Sequence, residues 1–241
     1  MTGRKGKLHP LTDIIRRVSQ IFIDMGFEIA DGPLLEDEFH NFDSLNVPKN
    51  HPARDMQDTF WIKNKPGYVM RTHTSSVQIR FMEKFMKEKR SFPFKIVAPG
   101  MVFRNEATDA THEVNFHQIE GLVVGEKISM GHLKGALESF LKKMFGDDVV
   151  FRLRPGYFPF VEPGVEVDLK FKGKWLELLG AGMVHPHVFK AVDIDVEKYS
   201  GFAFGVGIDR LKMMHYHIPD VRLSYQGDLR LHNSLKKYEN Q

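Results

Sequence analysis

The sequence predicts an α+β fold, and three observations carry that prediction. Two stretches read as strand–loop–strand hairpins, Lys95 to Val124 and Val165 to Leu179. Between and around them, apolar residues recur at helical spacing in four separate segments. A glycine-rich stretch, Ser200 to Leu211, has no parallel strand–helix–strand repeat around it, and no third glycine stands where a dinucleotide fingerprint needs one.

Composition narrows the class. With 241 residues, the chain sits at the upper end for one domain, so 1–241 is read as a single unit with a large core. It is 42% hydrophobic and 27% charged, with a net charge of +3, too mild to mark a nucleic-acid or membrane-surface protein by itself. The absence of cysteine excludes disulfides, thiolate nucleophiles and Cys-type zinc sites. The basic start Met1 to Lys7 has no apolar run behind it, and no stretch reaches membrane-spanning length. A cytoplasmic location is the expectation.

Taken in order, Ile14, Ile15, Val18, Ile21, Phe22 and Met25 share one helix face, with Pro10 at the first turn and Gly26 past the end. Phe27 to Ala30 reads as a short strand stopped by Asp31-Gly32-Pro33; this helix and strand suit either a core element or a subunit interface. Glu36 to Lys65 is irregular, a loop long enough to be functional or mobile, returning to strand at Thr59-Phe60-Trp61-Ile62. Tyr68 to Arg71 is another strand. Thr74 or Ser75 can cap the next helix, whose stripe is Val77, Phe81, Met82, Phe85 and Met86. His73 and Ser75 are open to two readings, turn and cap residues or an anion site at a helix start.

The first hairpin is the centre of the chain. Its loop opens on Arg104-Asn105-Glu106, and its second strand puts Phe116, Gln118 and Glu120 on one face, with His117 and Ile119 on the other. A cation, an aromatic plate and polar groups in that order suit a nucleotide and a small charged co-substrate; a solvated polar face is the alternative. Ser129 and Gly146 bracket a helix bearing Leu133, Leu137, Phe140, Leu141 and Met144. Val149 to Arg154 is a strand, Pro155-Gly156 a turn, and the prolines of Tyr157 to Gly164 argue against a central strand. Phe158 and Phe160 are core, or walls for an aromatic ligand. The second hairpin turns at Lys172-Gly173. Its acids Glu166, Asp168 and Glu177 either hold Mg²⁺ or face water. His185-Pro186-His187 and His215-Tyr216-His217 are discounted as metal sites, because i and i+2 diverge on a helix and no third ligand is spaced to help. In Gly205-Val206-Gly207-Ile208-Asp209-Arg210, the glycines allow backbone to approach a ligand and Arg210 leaves the first helical turn.

Together these stretches resemble the class II aminoacyl-tRNA synthetase core and, more narrowly, the phenylalanine–tRNA ligase α-subunit family. Phe22 to Pro33 resembles motif 1, Arg104 to Glu120 motif 2, and Gly205 to Arg210 motif 3. Narrower matches are Asp55 to Phe60, Arg71 to Ser75, Asp109 to His112, Tyr157 to Phe160 and Gly182 to Pro186. The resemblance spans residues 8–230, leaving 1–7 and 231–241 as tails.

The resemblance implies a class II synthetase-type antiparallel β-sheet flanked by helices. It implies ATP-dependent conversion of L-phenylalanine to phenylalanyl-adenylate, with transfer to tRNA(Phe). By the same likeness Arg104 holds the α-phosphate, and Arg210 grips the γ-phosphate and stacks on adenine opposite Phe116, with Glu106 and Gly207 also at the ATP site. His73, Ser75, Gln118 and Glu120 fix the amino acid's polar end, Trp61 closes that side, and Gly205 lies alongside. Phe158 and Phe160 clasp the ring, while Val161 and Ala203 set the pocket's depth. Mg²⁺ accompanies ATP, with Glu162 the position for an ion shared with a β subunit and Glu177 a second candidate. The expected assembly is an (αβ)₂ heterotetramer that binds tRNA and no membrane. Two departures stand out: the family-like pattern begins almost at Met1, where the family usually carries an N-terminal coiled-coil arm, and only Leu231 to Gln241 follows motif 3, where the single-chain form carries an anticodon-binding domain. A natural short form, a truncation and tRNA binding delegated to a partner are all open. Asp209 also stands where the family commonly has glutamate. Two other functions remain compatible, a core-only ligase with a non-tRNA acceptor and a catalytically silent paralogue that senses amino acids.

Overall fold

A computed structural model gives the structure of residues 6–55, 58–230 and 235. The expected tails therefore fall largely outside the described residues, as do Met56 and Gln57 of the Asp55 to Phe60 stretch.

Helix α1 (Pro10–Asp24) starts with proline at its first turn and ends before Gly26, whose φ of 82° suits only glycine easily. Strand β1 (Glu28–Ile29) follows, then β2 (Leu35–Asp37), the short helix α2 (Glu38–Asn41) and β3 (Tyr68–Met70). Helix α3 (Ser75–Lys87) leads to the hairpin of β4 (Phe94–Phe103) and β5 (Asn115–Gly125), and α4 (Met130–Phe145) comes next. Strands β6 (Phe151–Phe158), β7 (Val161–Phe171) and β8 (Lys174–Val184) form a meander. After α5 (Pro186–Lys190), β9 (Ser200–Gly207) runs directly into α6 (Ile208–Tyr216).

Seven strands form one sheet in the order β1-β4-β5-β9-β8-β7-β6. Only the β1–β4 pair at one edge is parallel; all other neighbours are antiparallel. Both expected hairpins are present. The second turns at Lys172 and Gly173, with φ of 49° and 78°, the positive pair that matches strand twist.

Each sheet face carries its own core. On one, Phe22 of α1 stacks on Phe140 of α4 at 4.9 Å and on Phe204 of β9 at 5.1 Å. Each such ring contributes about 1.5–3 kcal/mol by burial. On the other, Met82 and Phe85 of α3 pack with Ile96, Leu122 and Val124. Helix α1 is thus a core element, with Ile14 and Val18 fully buried.

Three local expectations are corrected. Pro155-Gly156 is not a turn: β6 runs through it, pairing Pro155 with Val165 and Gly156 with Gly164. The strand tolerates proline because it is the sheet's edge. Pro163 lies inside β7 where the register slips between Val161 and Gly164, a bulge that removes the need for its missing N–H. Thr59 to Ile62 makes only an isolated bridge, Trp61 to Val69.

The stretch from Glu36 onward is ordered rather than loose. Buried Arg54 donates to Glu38 at 2.9 Å and Asp43 at 2.7 Å, and also to the Val47 carbonyl. Its guanidinium lies 4.9 Å from the Phe42 ring centre. Fully buried Glu36 takes a bidentate pair from Arg80 of α3, its Oε2 at 2.6 Å from Nη2. Polar ties of this kind leave no hydrophobic period for sequence to display.

Candidate active site

A cleft of about 430 Å³ opens on the α3 face of the sheet. Its floor follows from the period-2 pattern of β9. Phe202, Phe204 and Val206 point into the α1 core, so the intervening Ala203, Gly205 and Gly207 face the cleft with almost no side chain. Register extends the effect sideways. Gly205 lies between Glu120 of β5 and Gly180 of β8, and Ala203 between Leu122 and Gly182. A Cβ on Gly205 would sit 3.0 Å from Glu120 Cγ, and one on Gly180 would sit 2.7 Å from Phe158 Cζ. The sequence therefore carves a trough where larger residues would fill it.

At one end of the trough stands Glu120. The Ser75 hydroxyl donates to its Oε2 at 2.5 Å, the Gln78 amide at 3.1 Å, and the Thr74 N–H donates to Oε1 at 3.2 Å. Burial pushes its carboxyl up to about 7, against the lowering pull of Ser75, Thr74, Arg104 and Arg71. Ser75 thus spends its hydroxyl on Glu120 rather than on capping α3, and Thr74 makes no side-chain cap either. His73 is pushed down to about 4, first by burial and then by Arg104, and so is neutral near pH 7. His73 Nδ1 and Gln118 Oε1 are buried with no protein partner, polar atoms left for something that enters the cleft.

Opposite stand the aromatic walls, Phe158 and Phe160, stacked with ring centres 6.0 Å apart, with Val161 and Ala203 beside them. The remaining end is cationic. Arg104 lies over the Phe116 ring at 5.0 Å and reaches the Thr72 carbonyl at 3.5 Å. Arg210 is exposed, its Nη1 donating to the Glu177 carbonyl at 2.5 Å. Above them the 104–114 loop is held by Asp109, which accepts the N–H groups of Thr111 and His112 at 2.6 and 2.8 Å. His112 and these donors keep the Asp109 carboxyl well below the usual range.

Fifteen of the expected site residues line this one cleft; Trp61 and Glu162 do not. Trp61 stacks on Phe42 at 6.2 Å and donates its indole N–H to the Arg54 carbonyl, so it backs the wall instead of closing the site. Glu162 is exposed beyond the rim, 3.6 Å from His185. Sequence reading missed Gln78, although it lies three residues after Ser75 on α3, the spacing that puts two helix side chains on one face.

The acids sort by partner. Asp168 is nearly buried and held by Arg154 and Arg152 at 2.7 and 2.8 Å, which keep its carboxyl low, while Glu166 pairs with Arg154. Asp168 is shut off from water and Glu166 is part exposed, and both carboxylates are committed to arginines. Glu36, Asp37 and His40 come within 4.8 Å of one another, but Arg80 takes the first and His40 pairs with the second. Glu106 and Glu177 line the cleft beside the arginines, and their carboxylate oxygens fit a hard divalent ion that arrives with phosphates.

A family model described as tRNA synthetases class II core domain (F) matches residues 2–235. A phenylalanine--tRNA ligase alpha subunit of Wolbachia sp. subsp. Drosophila simulans is 56% identical over 229 residues, 93% of this chain and 65% of that protein. The protein of the same name from Aeromonas hydrophila is 52% identical over 240 residues, 98% and 71% of the two chains. That from Neisseria meningitidis serogroup B is 51% identical over 235 residues, 97% and 68%. The chain thus spans about two thirds of the length of these relatives, and just under that, 65%, for the Wolbachia protein. No described helix is long and apolar enough to cross a membrane.

Proposed function

The chain belongs to the class II tRNA synthetase core family, and from that premise we propose that it activates L-phenylalanine with ATP and passes it to tRNA(Phe). It does so as the catalytic α subunit of a cytoplasmic (αβ)₂ phenylalanine–tRNA ligase. The observation that carries this reading is the trough itself: a buried carboxylate at one end, two stacked phenyl rings at the other, and two arginines alongside.

Glu120 receives the substrate's ammonium, and the ring slides over Gly205 and Gly180 to meet Phe158 and Phe160. Edge and face contacts of this kind add about 0.5–1.5 kcal/mol to the ring's burial. His73 and Gln118 hold the polar end, with Ser75 acting through Glu120. The carboxylate is thereby turned toward the arginines. It attacks the α-phosphorus of ATP, and the bond to the β-phosphate breaks with its electron pair leaving on pyrophosphate. Because the nucleophile is already ionised, no general base is required; placement and charge neutralisation do the work. Arg104 neutralises the α-phosphate, and Arg210 releases the Glu177 carbonyl to grip the γ-phosphate, its planar cation suited to stacking on adenine. Phe116 supplies the base's other face. Mg²⁺, held by Glu177 with the phosphates, would spread their negative charge, and the exposed Glu162 would share a second ion with the β subunit.

The test is phenylalanine-dependent ATP–pyrophosphate exchange by the chain, alone and with its β subunit, followed by tRNA charging. Exchange and charging with the partner present are expected. Exchange without charging would replace tRNA by another acceptor, and no exchange with the partner present would overturn the reading.

A further inference from the structure

Arg210 follows directly on Asp209, a cleft residue tied to groups behind it that do not line the cleft. Where β9 gives way to α6, its ladder to β5 ends at the pair Gln118–Gly207. The next N–H of β5, that of His117, has no strand to bond. It donates instead to Asp209 Oδ2 at 2.8 Å. The other carboxylate oxygen of Asp209 accepts the Lys212 ammonium at 2.5 Å and the Tyr225 hydroxyl at 2.9 Å. Lys212 is fully buried and lies 4.8 Å from the Tyr225 ring centre.

A buried ammonium is an expensive way to hold a helix. Taking both charges of such a pair out of water costs several kcal/mol per ion, and an apolar pair of similar volume is often at least as stable. The geometry points to a different use, and we propose that Lys212 is a positioning residue for the nucleotide end of the cleft. It holds the Asp209 carboxylate aimed at the His117 amide, and so fixes the helix start bearing Arg210 against the strand position bearing Phe116. Pinned from behind through one oxygen, the short Asp209 side chain presents the other to the strand. Gln118 depends on this clamp less than Phe116 does, since it is already paired with Gly207. The phenylalanine pocket lies further along the trough and does not depend on it.

This inference deepens the proposed function and rests on it for its kinetic readout. The test uses the full chain with its β subunit and the substitution Lys212→Met. Losing a charge-assisted hydrogen bond predicts an ATP KM raised about tenfold in pyrophosphate exchange, with the phenylalanine KM within about threefold of wild type. Hydrogen exchange followed by mass spectrometry reads the clamp without any activity: a peptide covering residues 114–118 exchanges about tenfold faster in Lys212→Met. If Lys212→Met does not fold, the charge-free pair Asp209→Asn/Lys212→Met serves, and it keeps the ATP KM raised while recovering the melting temperature. Unchanged exchange at 114–118, equal rises in both KM values, or a wild-type ATP KM in the charge-free pair would each overturn the inference. A wild-type enzyme without phenylalanine-dependent exchange would fell the functional reading alone, leaving the 114–118 peptide and ATP affinity by calorimetry to decide on Lys212.

Discussion

Ser75 donates its hydroxyl to Glu120 at 2.5 Å, across the gap between a helix start and the centre of the sheet. The contact keeps a charge-bearing group in a place where burial disfavours charge, and the balance leaves the carboxyl titrating at about 7. Because this value is raised from 4.5, the empty protein binds the proton more tightly folded than unfolded. The site is therefore least costly below about pH 4.5, and stability falls by about 3 kcal/mol as pH rises from there to about 7. Phenylalanine needs the opposite state, an ionised carboxylate facing its ammonium. Below pH 7, kcat/KM for phenylalanine should fall about tenfold per pH unit while the ATP KM changes little. Glu120→Gln should flatten the profile and lower kcat/KM by about 10- to 100-fold at pH 8. A flat wild-type profile between pH 5.5 and 7 would remove Glu120 from the ammonium site.

The trough floor gives a paired prediction of opposite sign. Gly180→Ala places a Cβ 2.7 Å from the Phe158 ring, which must swing into the space meant for substrate, at a strain of about 1–3 kcal/mol. The phenylalanine KM should rise roughly tenfold or more with the ATP KM unchanged. Ala203→Gly removes the one methyl on the cleft face of β9 and should admit para-substituted phenylalanines, since an apolar pocket rejects an added group by only about 10²-fold in any case. Exchange assays across a series of ring-substituted analogues separate the two. An unchanged substrate range in Ala203→Gly would count against this wall as the depth gauge.

These two residues also mark how far the sequence could be read. Both hairpins, α1, α3, α4 and the β9–α6 passage follow from period and punctuation, because in each the apolar stripe and the turn residues agree. The Phe116–Gln118–Glu120 row followed from strand alternation alone. What was hidden depends on register between distant strands: nothing local says that Gly180 lies beside Gly205, or that the i,i+3 pair Asp209 and Lys212 faces the core and not water. Polar tethers were equally silent. Arg54 sits in the irregular stretch Glu36 to Lys65 and Trp61 is expected to close the site, until the fold shows the Trp61 indole donating to the Arg54 carbonyl beside Phe42.

Arg54 leads to a stability prediction. Its guanidinium binds two carboxylates and a backbone carbonyl from the segment 38–47, and Leu45 of that segment lines the cleft. Arg54 is buried but Glu38 and Asp43 are more than a third exposed, so water screens the ion pairs and removing the guanidinium costs about 1–3 kcal/mol. Arg54→Met, which keeps the stem but not the charge, should lower the melting temperature by several degrees and speed hydrogen exchange across residues 38–55. The β4–β5 hairpin, tied in through its own ladder, should exchange as before. A variant with wild-type protection in 38–55 would show that packing around Phe42, not the ion pairs, orders this stretch.

Arg210 should behave in the opposite way, silent in stability and decisive in chemistry. It is exposed, and its one described polar contact is to the Glu177 carbonyl, a group that water can satisfy equally well. Arg210→Ala should therefore shift folding stability by no more than about 0.5 kcal/mol, the usual range for a surface change. Loss of a preorganised cation at a developing phosphate charge costs about 10²–10³-fold in rate, and adenylate formation should fall by at least that much. Arg210→Lys should recover little, because an ammonium keeps the charge but neither the planar stack nor the bidentate fork. Pyrophosphate exchange beside a thermal melt on the same samples decides it: retained activity with an unchanged melt would take Arg210 out of the ATP site and leave Arg104 to face the phosphates alone.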